Sequence, residues 1–152
     1  MPELPTLPVT FRPSRTRAVL LALGAAMFVT LTVIPFVLGL RTSECLSFVF
    51  TGAVLFGGLV LLARPKVVAD DAGVTVVNIA RSRRLAWAEI VQVNLRPGDP
   101  WVFLNLSDGT SLAAMGIQPA MARERALTDA RALRALADAR SVFSGGSGEL
   151  QG

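Results

Sequence analysis

Two stretches without a single charged side chain limit what this chain can become. Ala18 to Leu40 runs 23 residues and Cys45 to Ala63 a further 19, with only Arg41-Thr42-Ser43-Glu44 between them. As helices rising ~1.5 Å per residue, each is long enough to cross ~30 Å of hydrocarbon. Lipid offers no partners to backbone N–H and C=O groups, so such segments must be helical. A connection of four residues forces the two helices into an antiparallel hairpin. A secretory signal has a shorter apolar stretch followed by a small-residue cleavage site. A soluble core helix of 23 uncharged residues does not suit a chain of 152. The reading is therefore two membrane spans, 18–40 and 45–63, joined by an extracytoplasmic loop, 41–44.

Basic residues orient the hairpin. Arg12, Arg15 and Arg17 precede the first span, Arg64 and Lys66 follow the second, and Arg41 in the loop is offset by Glu44. By the positive-inside rule both termini lie in the cytoplasm, which makes this a two-span protein of the inner (plasma) membrane. Anionic lipid would attract the flanking cations. The net charge of +4 and the pI near 10.9 are thus mostly a topology signal, and no nucleic-acid partner is expected. No acidic or basic residue lies within either span, which argues against a proton relay, an ion pathway or a voltage sensor. Ala22 with Ala26, and Ala53 with Gly57, are spaced by four, a pattern that allows close helix approach or simply reflects membrane-helix composition. Pro35 is expected to kink the first span.

The side-chain inventory removes most catalytic chemistry. The sequence has no His and no Tyr, one Cys (Cys45) and one Lys (Lys66). His-based acid–base catalysis, Ser-His or Cys-His nucleophiles, His or Cys-rich metal sites and internal disulfides are therefore excluded. No cofactor and no metal are expected, and Cys45 reads as an ordinary small apolar residue. The expectation is that the chain is not an enzyme.

From Arg64 onward short β-type runs alternate with turn signals. Strands are expected at Lys66–Ala69, Val74–Ile79, Leu85–Trp87, Ile90–Leu95, Trp101–Leu106 and Ser111–Ala114. Asp70-Asp71-Ala72-Gly73 and Asp108-Gly109 read as tight turns, Ala80–Arg84 as a basic turn, and 96–100 as a loop. In Ile90–Leu95 the alternation places Val91, Val93 and Leu95 on one face and Gln92 with Asn94 on the other. A helix is expected from Pro119 to about Arg140, with Met121, Ala126, Ala130, Leu133 and Leu136 on its apolar side and Leu127 stranded on the polar side. Residues 142–152, Gly/Ser-rich, read as a flexible tail. Val9–Arg12 can add a strand, because both ends of the hairpin return to one side.

The order of Phe11-Arg12-Pro13, two spans, Trp87-Ala88-Glu89-Ile90, Asp108-Gly109 and Ala114-Met115-Gly116-Ile117-Gln118 resembles small membrane-anchored bacterial pleckstrin-homology (PH) domain proteins of actinobacteria. It is similar in particular to the group related to the low-molecular-weight protein antigen 6 of mycobacteria. The resemblance covers roughly residues 9–140. It implies a membrane α-helical hairpin plus a PH-like domain, residues 64–141, of two nearly orthogonal antiparallel sheets capped by a C-terminal α-helix. That fold has seven strands, against six counted from Lys66. The resemblance supplies no catalytic residues.

Arg81, Arg83 and Arg84 form the densest basic cluster of this part, and read either as a lipid- or phosphate-binding loop or as a solvated turn. Asp70 with Asp71 reads as a turn rather than a metal pair, and Glu89 as a cap. Trp87 reads as core, and Trp101 as core or rim. The expectation is a non-enzymatic module that binds another protein, either membrane-bound or cytoplasmic. The alternatives are an anionic-lipid or phosphate-binding module, or an accessory subunit of a larger membrane complex. The sequence does not name the partner or the oligomeric state.

Overall fold

The structure, a computed structural model, describes residues 4–119 and 123–145. It falls into two units: Met1–Pro13 with Pro65–Gly152, and Ser14–Arg64.

The second unit is a helical hairpin. Helix α1 spans Ser14–Val37 and α2 spans Thr42–Leu62, both long and apolar enough to cross a membrane by length and composition. Each begins earlier than the uncharged run. Helix α1 takes Arg15 and Arg17 into its first turns, and α2 takes in Thr42, Ser43 and Glu44. Charged and polar side chains at a helix terminus can reach water without breaking the helix, so charge does not mark the boundary. Pro35 lies inside α1, two residues before its end. The connection uses Gly39 at φ +67°, and Glu44 accepts a 2.9 Å hydrogen bond from the Arg41 backbone N–H.

The helices meet through Gly24 and Gly52 rather than through the Ala22/Ala26 and Ala53/Gly57 pairs. A Cβ on Gly24 would lie 2.8 Å from the Phe56 ring, and one on Gly52 would lie 3.2 Å from the Phe28 ring. The Phe28 and Phe56 rings lie 6.1 Å apart between these close approaches. Ala22, Ala26, Ala53 and Gly57 are exposed. Spacing by four identifies a helix face, but the bulky Phe28 and Phe56 select a different one.

The first unit is built from seven strands and a helix. One sheet has the order β1 (Val9–Phe11), β2 (Lys66–Ala69), β3 (Gly73–Val77), β4 (Ser82–Ala86). The other has the order β5 (Ile90–Asn94), β6 (Val102–Leu106), β7 (Ser111–Ala114). All neighbours are antiparallel, and β1 pairs Val9 with Ala69 and Phe11 with Val67. The hairpin is thus inserted between two adjacent strands of one sheet. Helix α3 (Arg123–Gly145) packs on β5 and on the short 3-10 turn Trp87–Glu89.

The core lies between the sheets and under α3. Val67, Val74, Leu85, Val102, Leu104 and Leu133 are all fully excluded from water. Ala126, Ala130, Leu133, Leu136 and Ala137 form the buried side of α3, in line with the helical spacing. Met121 lies outside the described residues, as do 120 and 122 at the expected helix start. Helix α3 runs on through residues 142–145, where a flexible tail is expected, and 146–152 lie outside the described residues.

Two strand readings change. Ser82–Ala86 is β4, an edge strand, although Ala80–Arg84 reads as a basic turn and Leu85–Trp87 as a strand. The turn is Asn78–Arg81, closed by a 2.8 Å bond from the Asn78 N–H to the Arg81 carbonyl. Charged side chains on an edge strand imitate a loop in sequence while discouraging further pairing. In β5 the expected face also breaks. Ile90 and Val93 are buried while Val91 is 65% exposed, because the pairing with β6 slips between Ile90 and Gln92. Such a bulge adds one residue to the period and turns Val91 outward.

Candidate functional site

β4 separates the three arginines singled out in the sequence. Arg81 is exposed in the turn before the strand. Arg83 and Arg84 are successive strand residues and so point to opposite faces. Arg83 lies opposite Val76 on the core-facing side, and its guanidinium stops 3.9 Å from Asp108 in the β6–β7 turn. Arg84 lies opposite Thr75 and meets both oxygens of Asp70 at 3.0 and 3.1 Å. Asp70 in turn accepts bonds from the Ala72 and Gly73 backbone N–H groups, which fixes the β2–β3 turn. Arg84 is therefore a turn brace, and the expected three-residue cluster is not assembled.

A different set of cations shares one end of the four-stranded sheet. The register pairing Phe11 with Val67 brings Arg12 beside Lys66, and Lys66 lies opposite Val77, itself opposite Ser82. Arg81 adjoins that end. Arg12, Arg15, Arg17 and Arg64 are exposed and Lys66 is half-buried. Arg12 and Lys66 stand where the chain passes to and from the hairpin.

The remaining candidates have structural duties. Asp71 pairs with Arg140 of α3 at 2.8 Å, and Glu89 caps the 3-10 turn by accepting from the Ala86 N–H at 2.7 Å. Trp87 is buried, and its indole N–H donates to the Asp70 carbonyl at 2.9 Å. Trp101 is half-buried. Cys45 is buried in the hairpin, its thiol 3.6 Å from the Leu40 carbonyl. Among the described residues no group of three or more His, Cys, Asp or Glu is placed to hold a metal. Two carboxyls have perturbed acidity. Hydrogen bonds from the Thr110 side chain and backbone hold Asp108 below the usual carboxylate range, helped by Arg83. Burial pushes Asp129 up, against the pull of Arg125.

Two features that join the sheets escaped the sequence. Asn78 donates from its side-chain amide to the Ala113 carbonyl at 2.7 Å and accepts from the Met115 N–H at 3.1 Å. Its amide thus serves as a one-residue strand along the β7 edge. Gly116 lies so close to β2 that a Cβ would stand 2.6 Å from the Lys66 Cα. Both contacts link residues far apart in the chain, and an Asn in a turn or a lone Gly gives no local sign of them.

A four-stranded and a three-stranded antiparallel sheet, closed by a C-terminal helix, define the PH-like class of β domain. The sequence profile of the bacterial PH domain family matches residues 64–136, just under half of the chain. Uncharacterized proteins of Mycobacterium tuberculosis and Mycobacterium bovis are 30% identical over 96 residues, 63% of this chain. The match spans 62% of the length of those relatives. No solved structure matches significantly.

Proposed function

We propose that the chain is a non-enzymatic inner-membrane protein whose hairpin holds a PH-like domain at the cytoplasmic face, where it binds another protein. The insertion of the hairpin between β1 and β2 carries this reading. Strands that pair must lie in one compartment, and an antiparallel pair of spans returns the chain to the side it left. The outward surface of the hairpin agrees with a lipid environment: Phe36, Leu46 and Phe50 are 64%, 64% and 71% exposed. Such continuous apolar exposure is costly in water. The cations flanking the hairpin select the cytoplasm. The lack of His and Tyr, together with the similarity of residues 64–136 to bacterial PH domains, supports a binding role over catalysis. Reporter fusions after residue 152 and within residues 41–44 test the topology; an extracytoplasmic C-terminus would refute it. Affinity purification of the full chain from native membranes, read by mass spectrometry, tests for a partner.

A second reading rests on the cationic sheet end. Arg12, Lys66 and Arg81 can meet anionic headgroups if that end faces the bilayer. Its test is Arg81→Glu in the full chain in nanodiscs. This reading expects slowed amide exchange of residues 78–81 in phosphatidylglycerol compared with phosphatidylcholine, lost in the variant.

A further inference from the structure

Leu127, the apolar residue on the polar side of α3, lines a cleft of about 90 Å³ between that helix and the β5–β6 connection. Leu95 and Pro119 add apolar lining, and Arg96, Asp99 and Arg123 add charge. The connection is a hydrogen-bonded turn. Gly98 sits at φ +93°, the Asp99 N–H donates to the Arg96 carbonyl at 3.0 Å, and the Arg96 N–H donates to an Asp99 carboxylate oxygen at 2.9 Å. Asp99 is thereby engaged by its own turn. Arg96 and Arg123 are exposed, and among the described residues neither has an ion-pair partner.

Size and charge together select the occupant. At ~30 Å³ per water molecule the cleft holds about three waters, far below the ~300 Å³ at which small-molecule sites begin. One apolar side chain fits within it, with a neighbouring carboxylate held by the exposed guanidiniums at its rim; a metabolite or cofactor does not fit. Two guanidiniums against one engaged carboxylate favour an anion, and guanidinium matches a carboxylate by paired hydrogen bonds. The leucine floor favours an apolar neighbour to that carboxylate.

We propose that this cleft is the anchoring point for a partner protein, receiving an Asp or Glu next to a bulky apolar residue. Arg96 and Arg123 pair with the carboxylate, and Leu95 with Leu127 receives the apolar side chain. The idea rests on the protein-binding reading above and gives it an address. A side chain set against the amphipathic pattern of α3 is then explained by what it touches.

The test uses the full chain in phosphatidylcholine nanodiscs and the probe peptide acetyl-Gly-Glu-Leu-Gly-amide, followed by amide NMR shifts. Saturable shifts at Gly98 and Leu127 are expected, with at least a tenfold weaker response to the Gln-for-Glu peptide and to acetate alone. Arg96→Glu with Arg123→Glu should lose the response at least tenfold, while Arg96→Lys with Arg123→Lys retains part of it. Both positions are exposed, and unchanged shifts across the core amides verify the fold of the variants. Equal response to the Gln peptide or acetate, or an undiminished response in the double reversal, overturns the proposal. So does displacement of the peptide by phosphatidylglycerol, which would make this a lipid surface. Photo-crosslinking from native membranes separates the two levels of inference. A partner captured equally by the parent and the double reversal rejects the cleft but keeps the protein-binding role. Failure to capture any protein from Val91, Leu127 or Val142 rejects the role itself.

Discussion

Gly116→Ala adds one methyl group at the point where the sheets come closest. Its Cβ would stand 2.6 Å from both Cα and C of Lys66 and 2.8 Å from the Val67 N. Carbon atoms pack at ~3.5 Å, so the two backbones must part by roughly 0.9 Å. All three contacts are backbone atoms, so no side chain can rotate away. Overpacking of this kind costs typically ~1–3 kcal/mol, and the entropy the methyl removes from the unfolded chain returns only ~0.4–1 kcal/mol. The expected net loss is about 1–2 kcal/mol, enough to lower the midpoint of a domain this size by roughly 4–16 °C. Trp87 and Trp101, the two Trp of the sequence, both lie in the β domain, so indole fluorescence of the full chain in detergent reports its unfolding. Gly58→Ala, where a Cβ meets nothing within 4 Å, is the control. A Gly116→Ala midpoint within about 1 °C of that control would refute the claim that this glycine sets the distance between the sheets.

Asn78→Ala removes both cross-sheet hydrogen bonds and leaves a half-buried amide and carbonyl without partners; denaturant unfolding should show a loss of about 2–3 kcal/mol. Asp129→Asn should raise the midpoint at pH 7. Burial raises the folded-state pKa of Asp129, so the parent loses stability as pH rises through the window from the unfolded value up to the folded one. The variant should lack that part of the pH dependence, and a thermal series from about pH 3 to 8 checks the sign. Arg84→Ala should cost no more than ~1 kcal/mol, because its pair with Asp70 is solvent-exposed and weakened by screening; unfolding at low and high salt measures this.

Much of this molecule is written in local patterns. The two uncharged runs are each long enough for one apolar helix, so α1 and α2 are legible in residues 18–63 alone. Asp70 and Asp108 announce their turns because a short carboxylate accepts the backbone N–H groups just ahead of it, as both do here. The 3.6-residue spacing of α3 likewise identifies the Ala126 to Leu136 face. The basic cluster fares differently. Arg81, Arg83 and Arg84 are neighbours in sequence, yet strand alternation parts the last two and two aspartates engage them.

The sequence by itself determined the hairpin, the charge asymmetry around it, the poverty of catalytic groups and the β-rich character of the chain beyond residue 64. Only the tertiary structure decided that the three residues Val9–Phe11 complete a sheet, that Asn78 and Gly116 bring the sheets together, that a bulge turns Val91 outward, and that Leu127 floors a charged cleft. The division has one physical cause. Helix, turn and charge effects act within a few residues and are readable in any window of that length. Strand partnership, close approach and ion pairing act between residues tens of positions apart, and become definite only when the core has closed.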